Sequence, residues 1–341
     1  MRVRPKSRRL FQCITILLLL LCSFYVLQNF YDWSDINAQS ELSDKEFAEV
    51  FEETYGGDRI LEVLELEDGG HIRIIDRPVL SSGKLRAVRY ADVKGGFHSY
   101  AALLTPKRLT RKDIDTSHWR VDKTVLAQNY YYYRMLAALA LCDLIKFTHD
   151  CNAHILSVGL GGSTIDGFLH QFFPQMNITV VEISRQVVNM AKKWFGFVEN
   201  DYHRVVVSDG VKFIAEAAKK GNVFDAILLD ACSSDQVEGI ICPHESFLSE
   251  GVLKNIAHML PKRGFFVVNV LSEDLKVDEV YQILTKKFKE FFAYCNRLQR
   301  PFSMNQVVYC SHQPPTRKPP IDLQQLLNKT FTQSSISFVF I

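Results

Sequence analysis

Three carboxylates in this chain stand where apolar runs end. Glu182 closes the run Ile178, Val180, Val181; Asp209 follows Val205-Val206-Val207; Asp230 follows the run from Phe224 to Leu229. Ahead of them, the run Ile155, Leu156, Val158 ends in Gly159-Leu160-Gly161-Gly162. Glycines let a backbone turn tightly and approach a ligand closely, because a Cβ would collide there. An acid at the end of the next strand can accept hydrogen bonds from both hydroxyls of a ribose. Asp209 suits the exocyclic amino group of a base. Asp230 suits a cationic or amine-bearing group, which a carboxylate can orient and deprotonate.

The spacing excludes the commoner nucleotide sites. A nicotinamide fingerprint needs a third glycine where Thr164 stands, and a phosphate-binding loop needs a Lys-Ser/Thr pair that does not follow. A nucleoside without phosphates, bearing a positive centre, fits the three acids. That describes S-adenosyl-L-methionine as cofactor, with Gly159, Gly161 and Gly162 at the turn, Glu182 on the ribose, Asp209 on the base and Asp230 facing the sulfonium and amino-acid end. No Cys/His spacing supports a zinc site, and His203 and His244 are expected to face solvent.

The elements that must position these residues alternate. Ile165, Phe168, Leu169 and Phe172 recur at helical spacing after the turn, until Pro174. Helices are expected over Asn129–Phe147, Gln186–Trp194, Val211–Lys219, Ser246–Leu260 and Val277–Phe288, and further strands over Phe265–Leu271, Ala293–Leu298 and Gln306–Cys310. Strands separated by helices make a parallel, doubly wound α/β sheet whose ligand sits at the carboxyl edge. The run Tyr130–Tyr133 reads as helix-start packing or as a wall of the ligand cleft. Upstream, Ile60–Leu66, Glu67-Asp68-Gly69-Gly70 and His71–Ile75 form a hairpin signal, with a third strand over Leu85–Tyr90. Asp113-Ile114-Asp115 resembles a metal-binding acid pair but does not end an apolar strand, and is read as a solvated loop.

The N-terminus has its own logic. Residues 1–9 are basic, and Leu10 to Leu27 is an apolar run long enough to span a bilayer. An acidic stretch, 28–55, follows, with a capping box at Ser43 and Glu46 that predicts a short helix over 43–55. The positive-inside rule makes this a single-pass signal anchor with a cytoplasmic N-terminus and the bulk of the chain lumenal (ER or Golgi) or extracellular. A cleaved signal peptide would need small residues where Cys22-Ser23-Phe24 stand, and a mitochondrial presequence would be amphipathic. The expected organisation is a basic tail (1–9), an anchor (10–27), an acidic stem (28–58), a small β module (59–118), the catalytic domain (119–313) and a proline-led tail with a short helix near 321–329 (314–341). The overall charge is +2, five of the cations lie in residues 1–9, and the remainder is net acidic, so no nucleic-acid partner is expected. A lumenal domain permits disulfides; Cys295 with Cys310 and Cys142 with Cys151 are the candidate pairs. Asn177-Ile178-Thr179 and Asn328-Lys329-Thr330 are glycosylation sequons, the second the better placed.

Residues 120–311 resemble the class I methyltransferases built like spermidine synthases. The likeness is strongest to the methyltransferase-like family whose C-terminal domain methylates the N-terminus of elongation factor 1A. Val158-Gly159-Leu160-Gly161-Gly162, Val181-Glu182-Ile183, Trp194-Phe195-Gly196-Phe197, Asp209-Gly210, Asp230 with Asp235, and Cys242-Pro243 carry it. The resemblance implies a Rossmann-like, mostly parallel seven-stranded sheet with a closing antiparallel strand. It adds Ile183 and Gly210 to the cofactor site and makes Asp230 and Asp235 the catalytic pair. It also implies an amine acceptor, carried on a protein in the resembling enzymes, and leaves the oligomeric state open, a homodimer included. Spermidine synthases have Gly-Gly-Gly-Asp-Gly-Gly at the turn and Tyr-His-Glu before it. Here Gly161-Gly162-Ser163 and Tyr132-Tyr133-Arg134 stand instead, which argues for methyl rather than aminopropyl transfer. A catalytically silent lumenal binding module is the alternative from another class.

Overall fold

A computed structural model describes residues 40–340 apart from 68, 82, 94–95, 127–130, 234–238, 273–275, 300–304, 320 and 332–338. The expected anchor, residues 10–27, and Asp235 lie outside the described residues. Among the described residues no helix is long and apolar enough to cross a membrane. The chain divides into two compact units, one of residues 1–59, 77–87 and 105–119, the other of 60–76, 88–104 and 120–341.

The first unit is built around helix α1 (Asp44–Tyr55), whose capping box is formed: the Ser43 hydroxyl accepts from Glu46 N while the Glu46 carboxylate accepts from Ser43 N. Its end at Gly56 is left-handed, the conformation glycine adopts at no steric cost. Phe47 and Phe51, four apart on one face, are fully buried, and the Phe47 ring lies 5.6 Å from that of Trp119. The acid pair expected to be a solvated loop instead caps two single-turn helices. Asp113 accepts from Thr110 N at 2.8 Å; Asp115 accepts from Ser117 N at 3.0 Å and pairs with Arg59.

A four-stranded sheet of order β1 (Arg59–Glu65), β2 (His71–Ser81), β3 (Lys84–Val93) and β4 (Gly96–Leu103) runs before the nucleoside-binding part. The hairpin turn closes with Leu66 N donating to Gly70 O at 2.7 Å. β4 was not expected; its residues do not alternate cleanly, so no period marks it.

In the second unit, helix α2 (Tyr131–Leu141) precedes β5 (His154–Val158), α3 (Ile165–Phe172), β6 (Asn177–Glu182), α4 (Arg185–Trp194), β7 (His203–Val207), α5 (Gly210–Lys219) and β8 (Ala226–Leu229). β9 (Ile240–Cys242), α6 (Glu250–His258), β10 (Phe265–Ser272), α7 (Val277–Phe288), β11 (Tyr294–Leu298), β12 (Asn305–Ser311) and α8 (Leu323–Thr330) follow. The main sheet has the order β7-β6-β5-β8-β10-β12-β11, with β9 paired to β10. The first five strands are parallel and β12 runs antiparallel between β10 and β11. Two apolar clusters cover its faces: one unites α2 and α3 with Ile155, Ile178 and Val180, the other α5, α6 and α7 with Leu156, Ile227 and Val268. Alternate residues of each strand thus bury on opposite faces, so the strands read as continuous apolar runs. α2 ends six residues before the expected Phe147; Cys142, Ile145 and Phe147 keep the apolar pattern in turns and are still buried.

Ile72, Ile74, Ala91 and Ala101 of the smaller sheet bury with Val187, Met190 and Phe195 of α4 and its end. Arg89 (2 % exposed) and Asp76 (0 %) form a two-pronged ion pair at 2.7 Å on each prong, and Arg89 also donates to Trp194 O at 2.9 Å.

The cysteines pair as Cys295–Cys310, one of the two candidate pairs, and as Cys232–Cys242. Cys142 and Cys151, the other candidate pair, are free and buried. The Cys142 thiol is directed at the carbonyls of Arg263 and Asp225, at 3.4 and 3.7 Å. His203 corrects an expectation: it is 1 % exposed, packed edge-on against Phe197. His244 is half-buried and caps the turn Glu245–Leu248 by accepting from Ser246 N at 3.2 Å.

Candidate active site

Strand register assembles the site. Val158 pairs with Val181 on one side and Leu229 on the other, Leu229 pairs with Val268, and Val207 pairs with Glu182. Each ladder runs one residue further: Gly159 N donates to Val181 O at 2.8 Å, Asp230 N to Val158 O at 2.9 Å and Ser208 N to Glu182 O at 3.0 Å. Glu182, Gly159, Asp230 and Asn269 therefore stand in one row at the carboxyl edge. The strand order reverses between β5 and β8, which is where open α/β sheets bind ligands.

Gly159 occupies a left-handed φ of +98°, and a Cβ on it would lie 2.3 Å from the Asp230 carbonyl oxygen. The two central strand ends close together only because that atom is missing. Gly162 is equally confined: its Cβ would meet Phe195 and Ser99, each at 2.9 Å, and its N–H donates to the Ser99 hydroxyl at 2.7 Å. Gly210 opens α5, and a Cβ on it would lie 2.8 Å from Phe247 and 2.9 Å from Val158.

The Glu182 carboxylate is 8 % exposed and ties two backbones together. One oxygen accepts from Leu160 N at 2.9 Å and the other from Ser184 N at 3.0 Å. Each carboxylate oxygen has a second lone pair for a ligand hydroxyl. Ile183, next to it, is 70 % exposed and offers an apolar face beside the row. Asp209 caps α5, one oxygen accepting from Lys212 N at 3.0 Å, which leaves its other oxygen for a ligand donor. A buried acid with lone pairs to spare, an exposed apolar side chain and a turn that a Cβ would fill fit a nucleoside.

Asp230 is clamped at both oxygens. The Tyr131 hydroxyl donates to Oδ2 at 2.7 Å and the Asn269 amide to Oδ1 at 2.9 Å. Asn269 is itself oriented by Asn305, whose amide donates to its Oδ1 at 3.0 Å. Burial first, and then the Asp230 carboxylate, push the Tyr131 phenol well above its ordinary range, so it remains a donor. Of the tyrosine run, Tyr131 reaches the site while Tyr132 is 5 % exposed in the core. Beside the turn lies a small cavity of about 20 Å³ lined in part by Tyr100, Val121, Lys123, Tyr132, Gly162 and Thr164.

Sequence reasoning did not find Asn269, Asn305, Ser99 or Lys123. Asn269 had a signal: it is the one amide in the otherwise apolar run Phe265–Leu271. Trp194-Phe195-Gly196-Phe197 is helix-end packing. Phe195 and Phe197 are buried, Gly196 is left-handed at +66°, and the Trp194 indole donates to Glu62.

Sheet order, glycine turn and the row of polar groups at the strand ends define the Rossmann-like class of S-adenosyl-dependent methyl- and aminopropyltransferases. Residues 130–314 match the Spermine/spermidine synthase domain, and the chain belongs to that family. It is 30% identical over 198 residues to the eEF1A lysine and N-terminal methyltransferase of Homo sapiens, which covers 57% of this chain and 28% of that protein. It is 29% identical over 193 residues to the Xenopus laevis protein of the same name, covering 56% of this chain and 27% of that one. The chain thus spans little more than a quarter of these relatives. The solved structure of human methyltransferase-like protein 13 in complex with SAH superposes with a TM-score of 0.52 at 26% identity, covering 59% of this chain and 92% of that one. A probable spermidine synthase from Corynebacterium glutamicum shares the fold, with a TM-score of 0.53 at 14% identity over 82% of this chain and 89% of that one.

Proposed function

We propose that this chain is an S-adenosyl-L-methionine-dependent methyltransferase whose acceptor is an amine carried on a protein. The observation that carries the reading is the clamped Asp230 carboxylate, in one row with Gly159 and Glu182. When bound, S-adenosylmethionine supplies a methyl group activated by a positive sulfur. The Glu182 oxygens would hold the ribose hydroxyls, Ile183 would cover one face of the base, and Asp209 would accept from its amino group. Asp230, its orientation set by Tyr131 and Asn269, would orient an amine at the edge and accept its proton. Asp235, five residues on, is the second catalytic candidate. Little covalent help is required beyond holding the amine in line and excluding water.

Calorimetry of the full chain with S-adenosylhomocysteine tests the cofactor: binding is expected, and its absence sinks the proposal. Aminopropyl transfer is the second reading, favoured by the family and by a 28% identical Vibrio vulnificus polyamine aminopropyltransferase over 41% of this chain and 45% of that protein. Arg134, where the spermidine synthases carry an acid, speaks against it. Product analysis with decarboxylated S-adenosylmethionine and putrescine separates the two.

The location we propose is a single-pass membrane protein with its catalytic domain on the lumenal or extracellular side. Two disulfides support it, since such bonds persist in oxidising compartments, as does the basic-to-acidic charge step across residues 10–27. A lumenal site would take an acceptor other than a cytosolic one. Protease protection of the C-terminal region in sealed microsomes is the test; digestion without detergent would refute the topology.

A further inference from the structure

Behind the glycine turn lies a group of polar side chains that the proposed transfer does not use. Ser163 is the one non-glycine residue with a left-handed φ, +54°, among the described residues, and it is wholly buried. A side chain in that conformation crowds its own backbone. Its hydroxyl donates to Asp166 Oδ2 at 2.5 Å, and His203 Nε2 meets the same oxygen at 2.8 Å. The Ser163 carbonyl accepts twice, from Gly167 N at 3.2 Å and from the Lys123 ammonium at 3.1 Å. Gly167 makes room for that ammonium, since a Cβ there would lie 2.7 Å from Nζ.

The cation is badly placed for stability. It sits at the start of α3, the positive end of a helix dipole. Lys123 is half-buried as a residue, yet its ammonium end is enclosed, and desolvation lowers its pKa to about 8 against the opposing pull of Asp166. Asp166 is the acid that faces it from α3; beyond Asp166 stand His170 of α3 and His203 of β7, their rings 4.8 Å apart. The neighbouring Asp122 is turned away, accepting from Thr124 N at 2.9 Å. A side chain that breaks local electrostatic rules is expected where function requires it.

We propose that Lys123 is a positioning residue for the cofactor turn, holding the Ser163 carbonyl so that Gly161, Gly162 and Ser163 keep the backbone path that the nucleoside needs. The inference rests on the reading that this turn binds an S-adenosyl cofactor. In this role Lys123 acts through the backbone, by its hydrogen bond to the Ser163 carbonyl.

The test is calorimetry of the full chain with S-adenosylhomocysteine, alongside thermal melting. K123M is expected to weaken binding roughly 10- to 100-fold, by the drop in the fraction of molecules whose turn keeps the binding path, while melting close to the wild type. A glycine at 163 takes the left-handed path without strain, so K123M/S163G is expected to regain most of the affinity. Wild-type binding is expected to weaken as pH rises through about 8 and the ammonium is lost, whereas K123R stays charged and holds its affinity. Undiminished binding by K123M, or a double variant as weak as the single, overturns the inference. Should K123M not fold, parallel pH curves for wild type and K123R overturn it instead. A wild-type chain that binds no S-adenosylhomocysteine fails the cofactor reading first, and this inference with it.

Discussion

The Tyr131 hydroxyl donates to Asp230 Oδ2 at 2.7 Å across 99 positions of sequence. The first helix of the nucleoside-binding part thereby reaches over the carboxyl edge of its central strands, and the phenol fixes which way the acid points.

Y131F removes that donor and leaves the ring. A hydrogen bond to a charged group contributes about 1.5–3 kcal/mol, so methyl transfer is expected to slow roughly 10- to 100-fold with little change in S-adenosylhomocysteine affinity. Single-turnover rates beside calorimetry measure both. Unchanged turnover would remove Tyr131 from the chemistry.

Two glycines separate steric clash from backbone strain. Gly159 and Gly221 are both left-handed, at +98° and +73°, but only Gly159 has an atom within reach of a Cβ. G221A is expected to cost ~1 kcal/mol. G159A drives a methyl into the Asp230 carbonyl and is expected to cost about 3 kcal/mol or more, with loss of cofactor binding. Urea midpoints compare them; equal costs would mean that the strand ends can move apart.

The buried Arg89–Asp76 pair is a third point of leverage. R89M strands a carboxylate that is 0 % exposed, which typically costs ~3–5 kcal/mol. The double variant R89M/D76L removes the uncompensated charge and is expected to recover much of that loss. A single variant as stable as wild type would show that water reaches Asp76.

In the first unit, the Arg59 guanidinium and the Ser117 hydroxyl hold the Asp115 carboxyl well below the usual carboxylate range. A depressed native pKa contributes stability that is full above the unfolded value of 3.8 and is lost as pH falls through the native one. D115N should therefore be less stable than wild type at pH 7, by at most about 1 kcal/mol for so exposed a pair, and the gap should narrow progressively as pH falls below the unfolded value of 3.8 toward the depressed native one. A gap that persists in acid would assign the effect to the lost cap on Ser117.

Much of the sheet could be read directly because each strand is a short apolar run punctuated by an acid or a glycine. Glu182, Asp209 and Asp230 fell at strand ends for that reason. The partners of Asp230 were harder. Asn269 and Asn305 are set beside it by strand order, and no local period encodes that β12 inserts between β10 and β11. The cysteines show the same limit. Cys295 and Cys310 pair across a local hairpin, whereas Cys232 meets Cys242 only because β9 folds back onto β10. Cys142 and Cys151 are close in sequence but their thiols are not brought together. His203 looked like a surface residue because it opens a strand; the buried Asp166 on another element draws it inward.

The relay from Tyr131 through Asp230 and Asn269 to Asn305 has a consequence for how the protein comes to life. A ribosome delivers these residues in order, and the last of them, Asn305, belongs to the last strand of the main sheet to be made. Until β12 has slotted between its neighbours, nothing orients the Asn269 amide toward Asp230. The cofactor turn, by contrast, has its partners almost 100 residues earlier. A nascent chain would thus acquire the capacity to hold a nucleoside before the capacity to direct an acceptor, and transfer would begin only in molecules whose sheet is complete.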